Sequence, residues 1–211
     1  MSGDSGAEPE HPGTARIVRE AGALEAWRFA AASHAGQLRP ANQRDYIHHP
    51  EQVAVLVADN GGDDGMIAAA LLHDVLEDSE ATTEQLTNAF GTEVASLVVA
   101  LSDDRDSGDY RARKHRLREQ VRSAGGRAAM IYAADKLANA GDLIGAYKEI
   151  GEAVSERLPV SLDLRIEIWR EDAAMCREEL GRVLLVADLE AELAWLESYR
   201  DLGNGWEDVS R

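Results

Sequence analysis

The sequence predicts an all-α domain of about eight to ten helices. Three observations carry that expectation. Phe, Trp and Tyr make up only 5% of the chain while Ala and Leu recur throughout, a composition that favours helix. Apolar residues return at spacings of three and four along most of its length, which is the period of a helix with one buried face. No segment sustains the apolar–polar alternation of a half-buried strand, and no repeat is visible. With 211 residues the chain is long enough for one domain with a true core.

The elements follow in order. Residues 1–13 are Gly, Pro, Ser and acid with little to bury and read as a disordered tail, leaving 14–211 as the domain. From 14 to 35, Ile17, Ala21, Leu24, Trp27 and Ala31 share a helical face, and Gly36 ends it. Residues 36–50 carry Gly, Pro and Asn and read as an ordered loop with room for a short hairpin. Pro50 opens a helix to about Asp59, with Val53, Leu56 and Val57 inward. GGDDG breaks the chain, and Asp63 or Asp64 caps a helix from about Gly65 to Asp78. Thr82 or Thr83 caps a short helix ending near Gly91, and Thr92 starts another with Val94, Leu97, Val98 and Leu101 inward. A polar loop spans 103–109, a charged helix 110–123, and an apolar helix 127–147. The C-terminal part, 154–202, holds two seams: Leu162, Ile166, Trp169, Ala173, Cys176 and Leu180, then Leu185, Leu189, Leu193 and Leu196. Gly181 between them implies an antiparallel pair, whose length leaves room for a homo-oligomer interface.

Charge narrows the function. Acids outnumber Lys and Arg by 39 to 22, giving a net charge of −17. A sequence-independent nucleic-acid binder needs a basic face to displace counterions, so no nucleic-acid partner is expected. A small phosphorylated substrate remains compatible, because one metal and a few local cations reverse the field in a pocket. The single Cys176 excludes an intrachain disulfide framework and fits a reducing cytoplasm. No apolar run approaches the length of a membrane span and no signal peptide is recognisable, so no membrane partner is expected.

The chemistry concentrates in LLHDVLEDSE, residues 71–80. On a continuous helix His73 lies above Glu77 and Asp74 above Asp78. A neutral imidazole beside a carboxylate is what a divalent transition metal needs, though two ligands are too few. Upstream, His48-His49-Pro50 lies at a loop-to-helix junction. Downstream, Asp135 lies among Ile131, Ala134, Leu137 and Ala138, where a carboxylate is costly unless paired or coordinated. Asn139 shares its face. A site of His, His-Asp and Asp from three helices would hold one metal with open positions for water and substrate. Glu77 beside it can take a proton from water, with Asp78 raising its basicity or ordering that water.

FAAASHAGQLR, YIHHPEQVAVL, AAALLHDVLEDSEATTEQLTNAFGTEVASLV and AADKLAN together resemble the hydrolase domain of RelA/SpoT enzymes and the stand-alone small alarmone hydrolases, within the HD phosphohydrolase superfamily. The likeness to the patterns HxGQxR, YIxHPxxVA, AAxLHDxxEDT, FGxxVxxLV and LADxxxN runs over residues 24–145. It implies metal ligands His49, His73, Asp74 and Asp135, with manganese the usual ion and another divalent metal an alternative. It implies Glu77 and Asp78 as the pair that orients or deprotonates water. It implies that Arg39, with Arg44 as its substitute, packs on a guanine base, and that Tyr46 and Asn139 line the nucleotide pocket. The implied reaction removes the 3′-pyrophosphate of ppGpp or pppGpp, leaving GDP or GTP. An HD phosphohydrolase acting on a different nucleotide is the alternative, and a metal-free binding protein a third reading.

The sequence departs from the family in places. The loop from Arg39 to Tyr46 is about one residue longer, and Ser79 replaces the usual Thr. Asp103 stands where a Lys is common, and Gly141 and Asp142 stand where Arg and Thr are common, which puts acids near the expected polyphosphate. The run 103–118, DDRDSGDYRARKHRLR, reads as a solvated loop and helix, with a basic rim for phosphate as the alternative. His34 reads as structural, and no synthetase domain is expected in a chain of this length.

Overall fold

A computed structural model describes residues 8–104 and 108–201. Helices α1 (Pro12–Glu20), α2 (Leu24–Ser33), α3 (His48–Asp59), α4 (Asp64–Leu72), α5 (Val75–Asp78) and α6 (Thr83–Leu101) come first. Then follow α7 (Tyr110–Ala124), α8 (Gly126–Ile150), a 3₁₀ segment (Gly151–Arg157), α9 (Leu162–Leu180) and α10 (Leu184–Asp201). The architecture is all-α. Among the described residues the sole β feature is one antiparallel bridge, Leu38 to Asp45, which closes the loop after α2 as a tight hairpin.

The caps explain the boundaries. Asp63 accepts from Met66 N–H at the start of α4, and Thr82 forms a reciprocal capping box with Gln85 at the start of α6. Gly91 (φ 84°) kinks α6 where two helices were expected.

Several boundaries differ from the sequence expectation. α1 begins at Pro12, inside the stretch expected to be a tail, with the His11 imidazole accepting from Gly13 N–H; residues 1–7 of that stretch lie outside the described residues, as do 105–107 of the polar loop and 202 at the end of the C-terminal pair. The helix expected over 14–35 is two helices, separated at Gly22 (φ 62°). α3 starts at His48, two residues before Pro50. The helix expected from Gly65 to Asp78 is interrupted at His73-Asp74. α8 runs to Ile150.

α8 is the spine. It packs on α3, α7, α9 and α10, while α4 packs between α2, α3 and α6. One apolar cluster joins α1–α4, α6, α7 and the first half of α8. A second joins the latter half of α8 to α9 and α10. Leu137 touches both, so the C-terminal pair is packed on the same helix that carries Asp135. Leu185, Leu189, Leu193 and Leu196 are fully buried on α10, each stabilising by about 1.5–3 kcal/mol. No helix of the described residues is long and apolar enough to cross a membrane.

Candidate active site

The break between α4 and α5 has a local cause. The His73 Nδ1–H donates to the Ala70 carbonyl at 2.8 Å, three residues back. In an unbroken helix that carbonyl receives the Asp74 N–H. The imidazole takes that acceptor, the chain turns at Asp74, and α5 restarts with Glu77 and Asp78 N–H on the Asp74 carbonyl. The same bond orients the ring and points Nε2 into the interior, where it is buried with no hydrogen-bond partner.

Four side chains from three elements converge around that atom. His49 Nε2, from the first turn of α3, lies 3.1 Å from Asp135 Oδ1 on α8 and 3.7 Å from Asp74 Oδ2. His73 Nε2 lies 3.3 Å from Asp74 Oδ2 and 3.7 Å from Asp135 Oδ1. One ligand atom each from His49, His73 and Asp135 falls within 4.8 Å of the others. Two imidazole nitrogens and two carboxylate oxygens, with one nitrogen orphaned in a buried cavity, suit a divalent metal.

Electrostatics agree. Burial and the Arg39 charge push the His49 imidazole down, so it is neutral. Burial pushes His73 down as well, but Asp74 and Asp135 outweigh it and lift its pKa to about 9. Burial alone raises Asp135, yet Lys136 and the two imidazoles hold its carboxyl well below the usual range. Asp74 is likewise lowered, against burial, by His73 and His49.

Around the four lies a bracing layer. The Tyr46 hydroxyl reaches Asp74 Oδ2 at 2.7 Å and Asp78 Oδ2 at 3.0 Å, so its one proton is shared between Asp74 and the acid pair. Burial, then those two charges, keep this phenol protonated well above its usual range. His34 stacks on the Tyr46 ring (4.6 Å between centroids), and Gln37 links His34 to the Asp78 carbonyl. Tyr46, expected to line the nucleotide pocket, thus also acts as a brace. Glu77 Oε1 accepts the Asp103 N–H at 2.8 Å.

Two joined cavities hold these groups. The deep one, about 160 Å³, is lined by the four converging residues, Glu77 and Lys136. The outer one, about 490 Å³, shares Arg39, Tyr46, Glu77, Asn139 and Arg165 with it and adds Ala41, Leu143, Leu158 and Pro159. Arg39 reaches Asn139 Oδ1 at 2.6 Å and Asp142 at 3.3 Å, and lies 5.3 Å over the Tyr46 ring. Asn139 in turn donates to Asp135 Oδ1 at 2.5 Å. Arg44 is exposed and lines a separate surface hollow with His11 and His48 rather than either of these cavities.

The unexpected acids are matched. Asp142 pairs with Arg39, and buried Asp103 pairs with Lys114 at 2.9 Å and Arg113 at 3.6 Å. Neither stands as a naked charge against a polyphosphate. Tyr110, Arg113 and Lys114 line the outer cavity together with Asp103.

Sequence reasoning missed three charged residues here. Arg165 enters from α9, its buried Nε without a partner and its guanidinium 5.1 Å over Trp169. Lys136 is buried with Nζ 2.6 Å from Asp135 Oδ2. Asp172, also on α9, is fully buried. Lys136 and Asp172 carried a signal. Lys136 interrupts the apolar run AADKLA, and Asp172 sits three residues after Trp169 and four before Cys176, on the same face.

Known proteins resemble this chain in sequence and fold. The model of the HD domain family matches residues 26–158. A probable guanosine-3′,5′-bis(diphosphate) 3′-pyrophosphohydrolase of Synechocystis is 51% identical over 73 residues, 35% of this chain but only 10% of that protein. The Xenopus tropicalis guanosine-3′,5′-bis(diphosphate) 3′-pyrophosphohydrolase MESH1 is 37% identical over 123 residues, 57% of this chain and 68% of its own length. Among solved structures, a metazoan SpoT ortholog described as hydrolysing ppGpp superposes with a TM-score of 0.65 at 26% identity, over 93% of this chain and 99% of that one. A Listeria monocytogenes protein matches with the same TM-score at 25% identity, over 71% of this chain and 99% of its own. With that match spanning more than half its length, and with the His, His-Asp, Asp geometry at its centre, the chain belongs to the HD domain family.

Proposed function

We propose that the chain is a metal-dependent hydrolase that removes the 3′-pyrophosphate of ppGpp or pppGpp, giving GDP or GTP and pyrophosphate. The observation that carries this reading is the orphaned His73 Nε2 facing His49, Asp74 and Asp135 at the bottom of a cleft whose outer end carries Arg39, Arg113, Lys114 and Arg165 beside Leu143, Leu158 and Pro159. The relatives named for this reaction support it.

His49, His73, Asp74 and Asp135 would hold one divalent cation, manganese in our reading. When bound, such an ion lowers the pKa of water and neutralises a phosphoryl oxygen. Glu77 accepts the proton of the attacking water, and the Asp103 N–H holds one Glu77 oxygen so that the carboxylate keeps a fixed direction. Asp78, tied to Asp74 through the Tyr46 hydroxyl, orders that water. Water adds at the phosphorus attached to the ribose 3′-oxygen, that P–O bond breaks, and the 3′-oxygen takes up a proton. Lys114 and Arg165 meet the phosphates. Arg39, with Asn139, Leu143, Leu158 and Pro159, receives the nucleoside, and an outer cavity of about 490 Å³ lies in the size range of small-molecule pockets.

The test is a nucleotide panel with manganese: ppGpp, pppGpp, GTP, NADPH and simple monophosphates. Equimolar GDP and pyrophosphate from ppGpp are expected. Orthophosphate alone, released from a different nucleotide, would instead support an HD phosphohydrolase of other specificity.

A further inference from the structure

Asp135 presents one oxygen to the two imidazoles and gives the other to Lys136. Lys136 is therefore a direct competitor for a ligand carboxylate, and its positive charge stands beside any bound cation. It is 6% exposed, with Nζ 4.3 Å from the Tyr132 ring centroid, so water does little to screen it. A second anion lines the same deep cavity from α9. Asp172 is 0% exposed and lines the deep cavity. Its Oδ1 accepts from Arg118 Nη1 at 2.5 Å, while its Oδ2 is buried without a hydrogen-bond partner. Burial raises the Asp172 carboxyl above its usual range, and the Lys136 charge, Arg118 and the Tyr132 hydroxyl oppose that rise without cancelling it.

We propose that Asp172 is a positioning residue for the metal centre: its carboxylate balances Lys136, so that Asp135 keeps an oxygen for the cation. The inference rests on the metal-binding reading above. It extends the site to α9, beyond the 24–145 motif stretch. The order of groups is Arg118, Asp172, Lys136, Asp135, alternating in sign across α7, α9 and α8. Removing the Asp172 charge takes away an anion whose field acts on Lys136, and among the described residues leaves Asp135 as the anion paired with Lys136. Partners behind a ligand commonly change metal affinity by 10–100-fold.

The experiment is a manganese-binding titration by electron paramagnetic resonance on the full chain, with wild type, Asp172→Asn, Lys136→Met and the double variant. Asp172→Asn keeps an oxygen for Arg118. Its Kd for manganese should rise about tenfold, and in the Lys136→Met background the same substitution should change Kd by less than about twofold. Equal manganese affinity in wild type and Asp172→Asn would overturn the proposal. So would an equal loss with and without Lys136, since that marks a packing effect. Arg118→Gln covers the case in which Asp172→Asn does not fold. It cuts the tie between α7 and α9 but leaves the Asp172 charge in place, so Kd should hold or fall; a tenfold rise would show that the tie, not the charge, matters. Wild type that binds no manganese removes the metal reading itself, an outcome distinct from the others.

Discussion

Proton release is the sharpest consequence of the site. In the metal-free protein His73 is an imidazolium with a pKa of about 9, held between Asp74 and Asp135. A metal takes only the neutral form, so binding at pH 7 must expel that proton. His49 is already neutral, and Asp74 and Asp135 are already ionised, so the released proton belongs to His73. Two pH units separate pH 7 from that pKa, a cost of about 3 kcal/mol at about 1.4 kcal/mol per unit. The manganese affinity should therefore strengthen about 50-fold from pH 7 to pH 9, where an unshifted imidazole would allow only about 1.3-fold. Anaerobic titration across that range measures it. Calorimetry at pH 7 in two buffers of different ionisation enthalpy should count about one proton released per metal. A flat affinity with no proton released would refute the reasoning.

Further expectations follow from the same contacts. Because the folded pKa of His73 exceeds its unfolded value near 6.5, the apo protein gains up to about 3 kcal/mol that is full below pH 6.5 and lost as pH rises through about 9; thermal melts with and without chelator should show that decline only in the chelated sample. Asp74→Ala should lose both metal and turnover, checked by metal analysis beside a rate assay. Glu77→Ala should retain metal and lose about 10²–10⁴-fold in kcat, and unaltered turnover would remove its assigned role. Tyr46→Phe keeps the His34 stack and deletes the shared proton; we expect kcat to fall with KM little changed, and a KM effect alone would mean that the hydroxyl serves substrate instead. Leu193→Ala, in the second apolar cluster, should cost about 2–5 kcal/mol in denaturant melts without altering manganese affinity.

Much of this was legible in the sequence, for identifiable reasons. Cap and breaker residues fixed α4, the kink at Gly91 and the α9–α10 turn, because Asp63, Thr82, Gly91 and Gly181 each carry a local backbone preference. The break at His73-Asp74 was not legible, since Leu72-His73-Asp74-Val75 contains no Gly or Pro. Its cause is a side-chain bond to Ala70. Gly22 was a visible breaker, yet the apolar spacing from Ile17 to Ala31 runs straight across it. The four converging residues stood out as ionisable groups in apolar surroundings. Two supporting cations did not: Arg165 and Arg118 occupy positions where long side chains usually reach water. Asp103 and Asp142 looked like obstacles in one dimension and proved to be ion-paired partners in three.

The account turns on one cation held by four side chains. A crystal grown with manganese and measured at the manganese absorption edge tests this most directly. One anomalous peak is predicted, within bonding distance of His49 Nε2, His73 Nε2 and the Asp74 and Asp135 carboxylates, with Glu77 alongside. A peak elsewhere, or none at full manganese saturation, would contradict it.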